Sequence, residues 1–250
     1  MIEGTASVAF LDPGSWSACF GMSYRDLCLY DALGPQRIVR QGGLELRALT
    51  GSGGIPANRN KACARFLDDT DSEWLFFIDS DMGFSSDTVD RLIKAADPEL
   101  RPIMGGLAFA LKRKPRGDLY AERTSVQPTL FEFVETDDEV GFVPILDYPR
   151  DQVMQVAGTG AACLLIHRGA LELIRDRHGD NWFEPMTHPT GDRGKPRGFS
   201  EDLSFCVRAA GCDLPIHVDT SVKTCHDKGG IFLDEHLYDQ QRGAVSDGPG

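Results

Sequence analysis

The stretch Trp74-Leu75-Phe76-Phe77-Ile78-Asp79-Ser80-Asp81 joins an unbroken apolar run to two carboxylates separated by a single serine. The run has the length and composition of a strand covered on both faces, as strands of parallel sheets are. Acids just past its end leave the core and face the crevice where open α/β sheets bind ligands. Hard carboxylate oxygens at such a place suit Mg²⁺ or Mn²⁺, ions that commonly share their coordination with substrate phosphates. A short acidic motif also fits a surface turn that caps the next helix, so the stretch needs partners before it means catalysis.

Working outward, strands and helices alternate on both sides. A strand over Ala6 to Leu11 ends at the turn Asp12-Pro13-Gly14, and helical spacing follows over Tyr24 to Leu33. Leu44 to Leu49 reads as a strand, Thr50 to Gly54 as a glycine-rich turn, and a helix begins near Pro56 and carries Ala57 to Leu67. Beyond the acids, Ser85 or Ser86 is placed to cap a helix with apolar positions Val89, Leu92, Ile93 and Ala96. This alternation predicts an α/β fold, a mixed and mainly parallel sheet flanked by helices in a single domain.

From Pro102 the pattern changes to short strands: Ile103 to Ala110, Thr129 to Val134, Phe142 to Leu146, and Val153 to Ile166 with Gly158 and Gly160 inside. Helices are expected over Gly169 to Arg177 and over Ser200 to Ala210, the second capped by Ser200. Between them Gly191 to Gly198 is polar and glycine-rich, the character of a mobile loop. The expected division is 1–101 as a nucleotide-binding half, 102–232 as an acceptor-side half, and 233–250 as a partly flexible extension, with a loose tail from Gln240 to Gly250.

Composition narrows the function classes. With 250 residues, 41% of them hydrophobic and 26% charged, the chain reads as an ordinary soluble globular protein. No apolar run reaches the roughly 18 to 20 residues needed to cross a bilayer, and Met1 to Ser7 lacks the pattern of a secretion signal, so the cytoplasm is the expected location, the host's if the chain is phage-encoded. A net charge of -12 argues against holding nucleic acid by bulk electrostatics. Seven cysteines without a CxxC pair argue for reduced thiols rather than a disulfide framework or zinc ribbon.

Two further places carry chemistry. Phe199-Ser200-Glu201-Asp202 puts two acids in the first turn of the expected late helix, where the helix dipole alone would favour them. His226, in Cys225-His226-Asp227-Lys228-Gly229, follows a strand expected from Ile216; a lone histidine is more often structural than a ligand. Taken in order, these features resemble the GT-A glycosyltransferases, particularly the family 2-like branch, over roughly Ser7 to Gly229. Ile55-Pro56-Ala57-Asn58-Arg59-Asn60 is similar to that family's helix start, Asp79-Ser80-Asp81 to its DxD, and Val156-Ala157-Gly158-Thr159-Gly160-Ala161-Ala162 to its central strand. Glu201-Asp202 is similar to its late acidic pair and His226 to its C-terminal metal histidine.

The resemblance implies a nucleotide-diphosphate sugar as donor, a UDP-sugar first, and Mn²⁺ or Mg²⁺ held by Asp81 and His226 with Asp79 facing the ribose and the ion's water shell. It implies Asp12 and Pro13 at the nucleobase, Ser80 lining the same edge, Arg59 reaching base or phosphate, and Lys228 at the diphosphate. Asp202 is then the base of an inverting transfer to a hydroxyl acceptor, with Glu201 orienting the acceptor and the loop Gly191 to Gly198 closing over the donor. Leu44 to Gly54 is shorter than the family's second strand, Asp227 stands where a small residue is usual, and 112–150 matches nothing in the pattern.

That last region holds the basic run Lys112-Arg113-Lys114-Pro115-Arg116, expected as a solvated loop or as a guide for a polyanionic acceptor such as DNA. Small stand-alone enzymes of this kind resemble those of tailed bacteriophages, some of which modify hydroxylated DNA bases while others decorate virion proteins. Trp182 and Phe183 fit either a sugar platform or the core. A nucleotidyltransferase acting on a sugar phosphate is the second reading, although Gly51-Ser52-Gly53-Gly54 lacks the lysine of a phosphate loop. A non-catalytic nucleotide-sugar-binding module is the third.

Overall fold

A computed structural model describes residues 4–38, 45–49, 54–115, 122–136, 140–192 and 195–246. In chain order these form β1 (Ala6–Asp12), α1 (Ala18–Leu33), β2 (Glu45–Leu49), α2 (Gly54–Asp69), β3 (Trp74–Ile78), β4 (Met82–Phe84) and α3 (Thr88–Ala95). There follow β5 (Ile103–Leu107), β6 (Phe109–Pro115), β7 (Glu122–Pro128), β8 (Leu130–Glu135), β9 (Val140–Pro144), β10 (Val153–Val156), β11 (Gly158–Thr159), β12 (Cys163–His167) and α4 (Arg168–His178). The chain continues through β13 (Thr187–Asp192), β14 (Lys195–Gly198), α5 (Glu201–Gly211), β15 (Ile216–Asp227), β16 (Phe232–Leu233) and α6 (Glu235–Ser246).

The main sheet has the order β10-β15-β5-β12-β3-β1-β2, with β4 and β16 both pairing onto β15. Strands β1, β2 and β3 are mutually parallel, β5 and β15 are parallel to each other, and β12 runs against both β3 and β5. All but β12 and β10 along that path therefore point one way, which places the ends of β1, β3 and β5 on a common edge. The expected α/β fold is the observed one: a mixed sheet with helices on both faces.

Strand β3 shows why the apolar run reads as it does. Every residue from Trp74 to Ile78 is buried, and successive side chains enter opposite cores. Leu75 and Phe77 join α2, α4 and α5 through Phe66, Leu171 and Phe205, while Trp74, Phe76 and Ile78 join α1 and α3 through Phe20, Leu27 and Leu92. Each such buried side chain contributes about 1.5–3 kcal/mol. Trp182 and Phe183 belong to the first core and are fully buried, so the sugar-platform reading of that pair is set aside.

Several sequence expectations need correction. Helix α1 starts at Ala18 instead of Tyr24, because Ser17 Oγ accepts the Phe20 N–H at 3.1 Å and opens the helix early. Neither Ser85 nor Ser86 is the cap of α3; Asp87 holds that position, with the Thr88 N–H bonded to the Ser85 carbonyl at 3.1 Å. The run Ile103 to Ala110 breaks into β5 and β6, and Val153 to Ile166 divides into β10, β11 and β12. The basic run is no loop: Lys112, Arg113 and Lys114 lie in β6, opposite Ser125, Thr124 and Arg123 of β7, and Arg116 lies outside the described residues. The segment Gly191 to Gly198 is mostly hairpin, β13 pairing with β14, with 193–194 outside the described residues. Gln240 to Ser246, expected as a loose tail, completes α6, whose Tyr238 packs on Phe109 with ring centroids 5.5 Å apart. Of the stretch Thr50 to Gly54 only Gly54 is described, as are Glu45–Leu49 of the second strand. No helix among the described residues is long and apolar enough to cross a membrane.

Candidate active site

At the edge where β3 ends, the chain makes a tight turn whose carbonyls are all engaged. The Met82 N–H bonds Asp79 O at 3.0 Å, the Ser17 N–H bonds Ser80 O at 3.0 Å, and the Asp227 N–H bonds Asp81 O at 2.8 Å. The Asp79 N–H in turn donates to Ala162 O at 3.1 Å. Backbone bonding of this density fixes where the two carboxylates point.

Strand β15 brings the imidazole. After pairing with β5 it shifts register between Asp219 and Lys223 and runs on beside β4, so that His226 stands opposite Met82, next to Asp81. His226 Nδ1 donates to Phe109 O at 3.2 Å, which leaves Nε2 facing Asp81 Oδ2 at 3.0 Å. Lys228 Nζ donates to the same oxygen at 2.8 Å. Burial alone would raise the Asp81 carboxyl, but the bonds from His226 and Lys228 outweigh it and hold the group down at about 2.

Asp79 has a different partner. Arg59, on α2 and only 3% exposed, donates from Nη2 to Asp79 Oδ1 at 3.1 Å and lies 3.8 Å from Asp202 Oδ1 at the start of α5. Its Nη1 donates to Ala161 O at 3.0 Å, and its guanidinium carbon sits 5.6 Å from the Phe77 ring centroid and 5.5 Å from that of Phe183. Burial pushes the Asp79 carboxyl upward, with Asp202 and Asp81 adding to the rise, and Arg59 offsets only part of it. The burial that disfavours the Arg59 charge is itself outweighed by Asp79, Asp202 and Glu201, so the guanidinium stays firmly charged. Ser200 occupies the cap position of α5 without a side-chain capping bond, and Glu201 and Asp202 stand half-buried in the first turn.

Beside this group lies a cleft of about 580 Å³. Pro13, Arg59, Asp79, Ser80, Asp81 and Lys228 border it, together with Asp227, whose carboxylate also accepts the Gly230 N–H at 2.8 Å. Asp12, Glu201, Asp202 and His226 do not border it. Asp12 is buried and its Oδ1 accepts the Gly14 N–H at 2.9 Å, so it shapes the turn. Asp202 stands behind Asp79 across the Arg59 side chain, and His226 stands behind Asp81. Sequence reasoning passed over Trp16, which is 43% exposed and walls the cleft with Ser15, Ile55 and Asn58. An aromatic residue just after an Asp-Pro-Gly turn was the available signal.

Among the described residues no three His, Cys, Asp or Glu side chains are gathered closely enough to cage an ion unaided. Mg²⁺ and Mn²⁺ do not require such a cage, because they bind through one or two protein groups plus phosphates and water. Asp81 and His226 fit that mode. Their 3.0 Å separation matches the edge of about 3 Å between neighbouring ligands of an ion with bonds near 2.1 Å, and the Phe109 carbonyl engages Nδ1, so that Nε2 is the ring nitrogen turned toward Asp81.

No protein-family model and no curated protein matches the chain. Among solved structures, A197 from STIV aligns over 93% of this chain and 91% of its own, with a TM-score of 0.53 at 14% identity. The inositol-1-phosphate CTP transferase from T. maritima aligns over 100% of both chains with a TM-score of 0.46 at 10% identity. The first is a likeness of fold alone, a central mixed sheet flanked by helices, and the second carries no weight at that score.

Proposed function

We propose that this chain is a metal-dependent glycosyltransferase of the GT-A type, moving a sugar from a nucleotide-diphosphate sugar of the UDP class to a hydroxyl acceptor. The observation that carries the reading is the meeting of Asp79, Asp81 and Asp202 with His226 and Lys228 at one sheet edge, beside a cleft of nucleotide size. Asp81 and His226 would hold Mn²⁺ or Mg²⁺, which supplies positive charge to the diphosphate as it departs.

The residues divide the rest of the work. Pro13 and Trp16 flank the nucleoside, Asp79 faces the ribose, Ser80 lines the edge, and Lys228 turns from Asp81 to the diphosphate. Asp202 takes the proton of the acceptor hydroxyl as that oxygen bonds the anomeric carbon. The bond from that carbon to the diphosphate oxygen breaks, its electron pair leaves with the nucleoside diphosphate, and the configuration inverts. Glu201 orients the acceptor. The basic β6–β7 ribbon suits an anionic acceptor, a hydroxylated DNA base or a surface macromolecule, met in the cytoplasm.

The test is a panel of nucleotide sugars incubated with Mn²⁺ and hydroxyl acceptors, followed for release of nucleoside diphosphate. Release that depends on Mn²⁺ and acceptor supports the reading. Release of pyrophosphate from a nucleoside triphosphate and a sugar phosphate would replace it with a nucleotidyltransferase, and binding without turnover would make the chain a binding module.

A further inference from the structure

Arg59 was expected to reach a base or phosphate, yet both of its terminal nitrogens are engaged by the protein itself. Nη1 holds Ala161 O at 3.0 Å, at the head of β12, while Nη2 serves Asp79 Oδ1 at 3.1 Å and faces Asp202 Oδ1 at 3.8 Å. Phe77 and Phe183 fix the guanidinium plane, their ring centroids 5.6 and 5.5 Å from its central carbon. Asp202 Oδ1 is enclosed and has no hydrogen bond of its own, and Arg59 Nη2 faces it at 3.8 Å. The other oxygen, Oδ2, then lies against Gly160, 3.7 Å from where a Cβ would stand on that residue.

We infer that Arg59 is a positioning residue that ties the strand-end acid Asp79 to the late-helix acid Asp202 and makes Asp202 present Oδ2, not Oδ1, to the acceptor. What Asp202 does rests on the glycosyltransferase reading; how it is held does not. A planar fork puts one nitrogen on the carbonyl and a second on the carboxylates at a fixed spacing, which the single nitrogen of an ammonium, although it has three donors, does not reproduce. Arg59 also explains how two like charges from distant parts of the chain sit side by side at this sheet edge.

The test compares wild type with Arg59→Lys, which keeps the buried cation, and with Arg59→Met, which removes it. Four quantities are read: melting temperature, the thermal shift given by UDP with Mn²⁺, and kcat and KM for the donor. The expected result for Arg59→Lys is a folded protein with the UDP and Mn²⁺ shift retained, donor KM nearly unchanged, and kcat lower by about 100-fold, the cost of a misplaced catalytic group. A raised KM and lost shift with kcat kept would make Arg59 a substrate ligand and overturn the inference. Wild-type kinetics in Arg59→Lys would overturn it as well, leaving only a structural cation. Crystal structures of wild type and Arg59→Lys give a readout independent of transfer. Asp202 Oδ2 should leave Gly160 in the variant, and an unmoved Asp202 overturns the inference whether or not the wild type transfers sugar.

Discussion

Trp16 stands at the cleft mouth with its ring edge-on to Phe10 and Phe20, 5.5 and 5.4 Å away between centroids, which holds the indole upright without burying it. Stacking of a base on an aromatic ring is worth about 1–3 kcal/mol. Trp16→Ala should therefore weaken UDP binding in Mn²⁺ by about tenfold or more, measured by titration calorimetry, whereas an unchanged Kd would remove the indole from the nucleoside site. Asp202→Ala belongs to the same scale: loss of a general base costs about 10² to 10⁴ in rate, with UDP and Mn²⁺ binding kept. Normal transfer by that variant would refute the base assignment. Asp79, Asp81, Asp202 and His226 were legible in the sequence because each sits at a boundary that pattern reveals, a strand end or a helix start. Arg59 was legible as a residue but not in its contacts, since its partners Ala161 and Asp202 lie far along the chain and only the packed sheet brings them within reach.

Strand β3 was readable because an unbroken apolar run has few other homes, whereas the break between β5 and β6 carries no signal in composition. Close packing within β5 is equally invisible in composition. A Cβ on Gly106 would stand 2.8 Å from Cys163 Sγ and 3.2 Å from the Val222 carbonyl, so β5, β12 and β15 meet at a position with no room for a side chain. Gly106→Ala should cost about 1–3 kcal/mol of stability by overpacking, read from denaturant midpoints, and an unchanged midpoint would contradict that packing. The serines expected to cap α3 lost to Asp87, a choice settled by backbone geometry that propensity does not resolve. On the same face Asp90 of α3 ties to α1 and the turn after it, bonding Lys94 at 2.7 Å and Arg37 at 3.2 Å and accepting from the Tyr30 hydroxyl at 3.3 Å. Burial would raise the Asp90 carboxyl, but the Lys94 and Arg37 bonds outweigh it and the group lies below its ordinary value. A lowered folded value stabilises above the unfolded value of about 3.9 and is lost as pH falls through the folded one. The melting temperatures of wild type and Asp90→Asn should accordingly differ most near neutral pH and converge on acidification below pH 4; a gap independent of pH would refute the linkage.

Across the whole molecule, alternation along the first hundred residues was enough to foresee a sheet with helices on both sides. The strand order was not, because β12 enters antiparallel between β3 and β5 and nothing in its sequence states its direction. Beyond its pairing with β5, β15 runs on beside β4 and delivers His226 to the acidic turn, so the site is a product of topology as much as of motif. Asp81 and His226, brought together in this way, are proposed to bind a divalent ion jointly with a nucleoside diphosphate. The most direct measurement is the melting temperature of wild type, Asp81→Ala and His226→Ala with UDP, with Mn²⁺ and with both, since ligands that bind the folded state raise it by mass action. Wild type should rise with both together by more than the sum of the separate rises, and neither variant should show such an excess. An equal excess in all three proteins, or none in wild type, would contradict that joint binding.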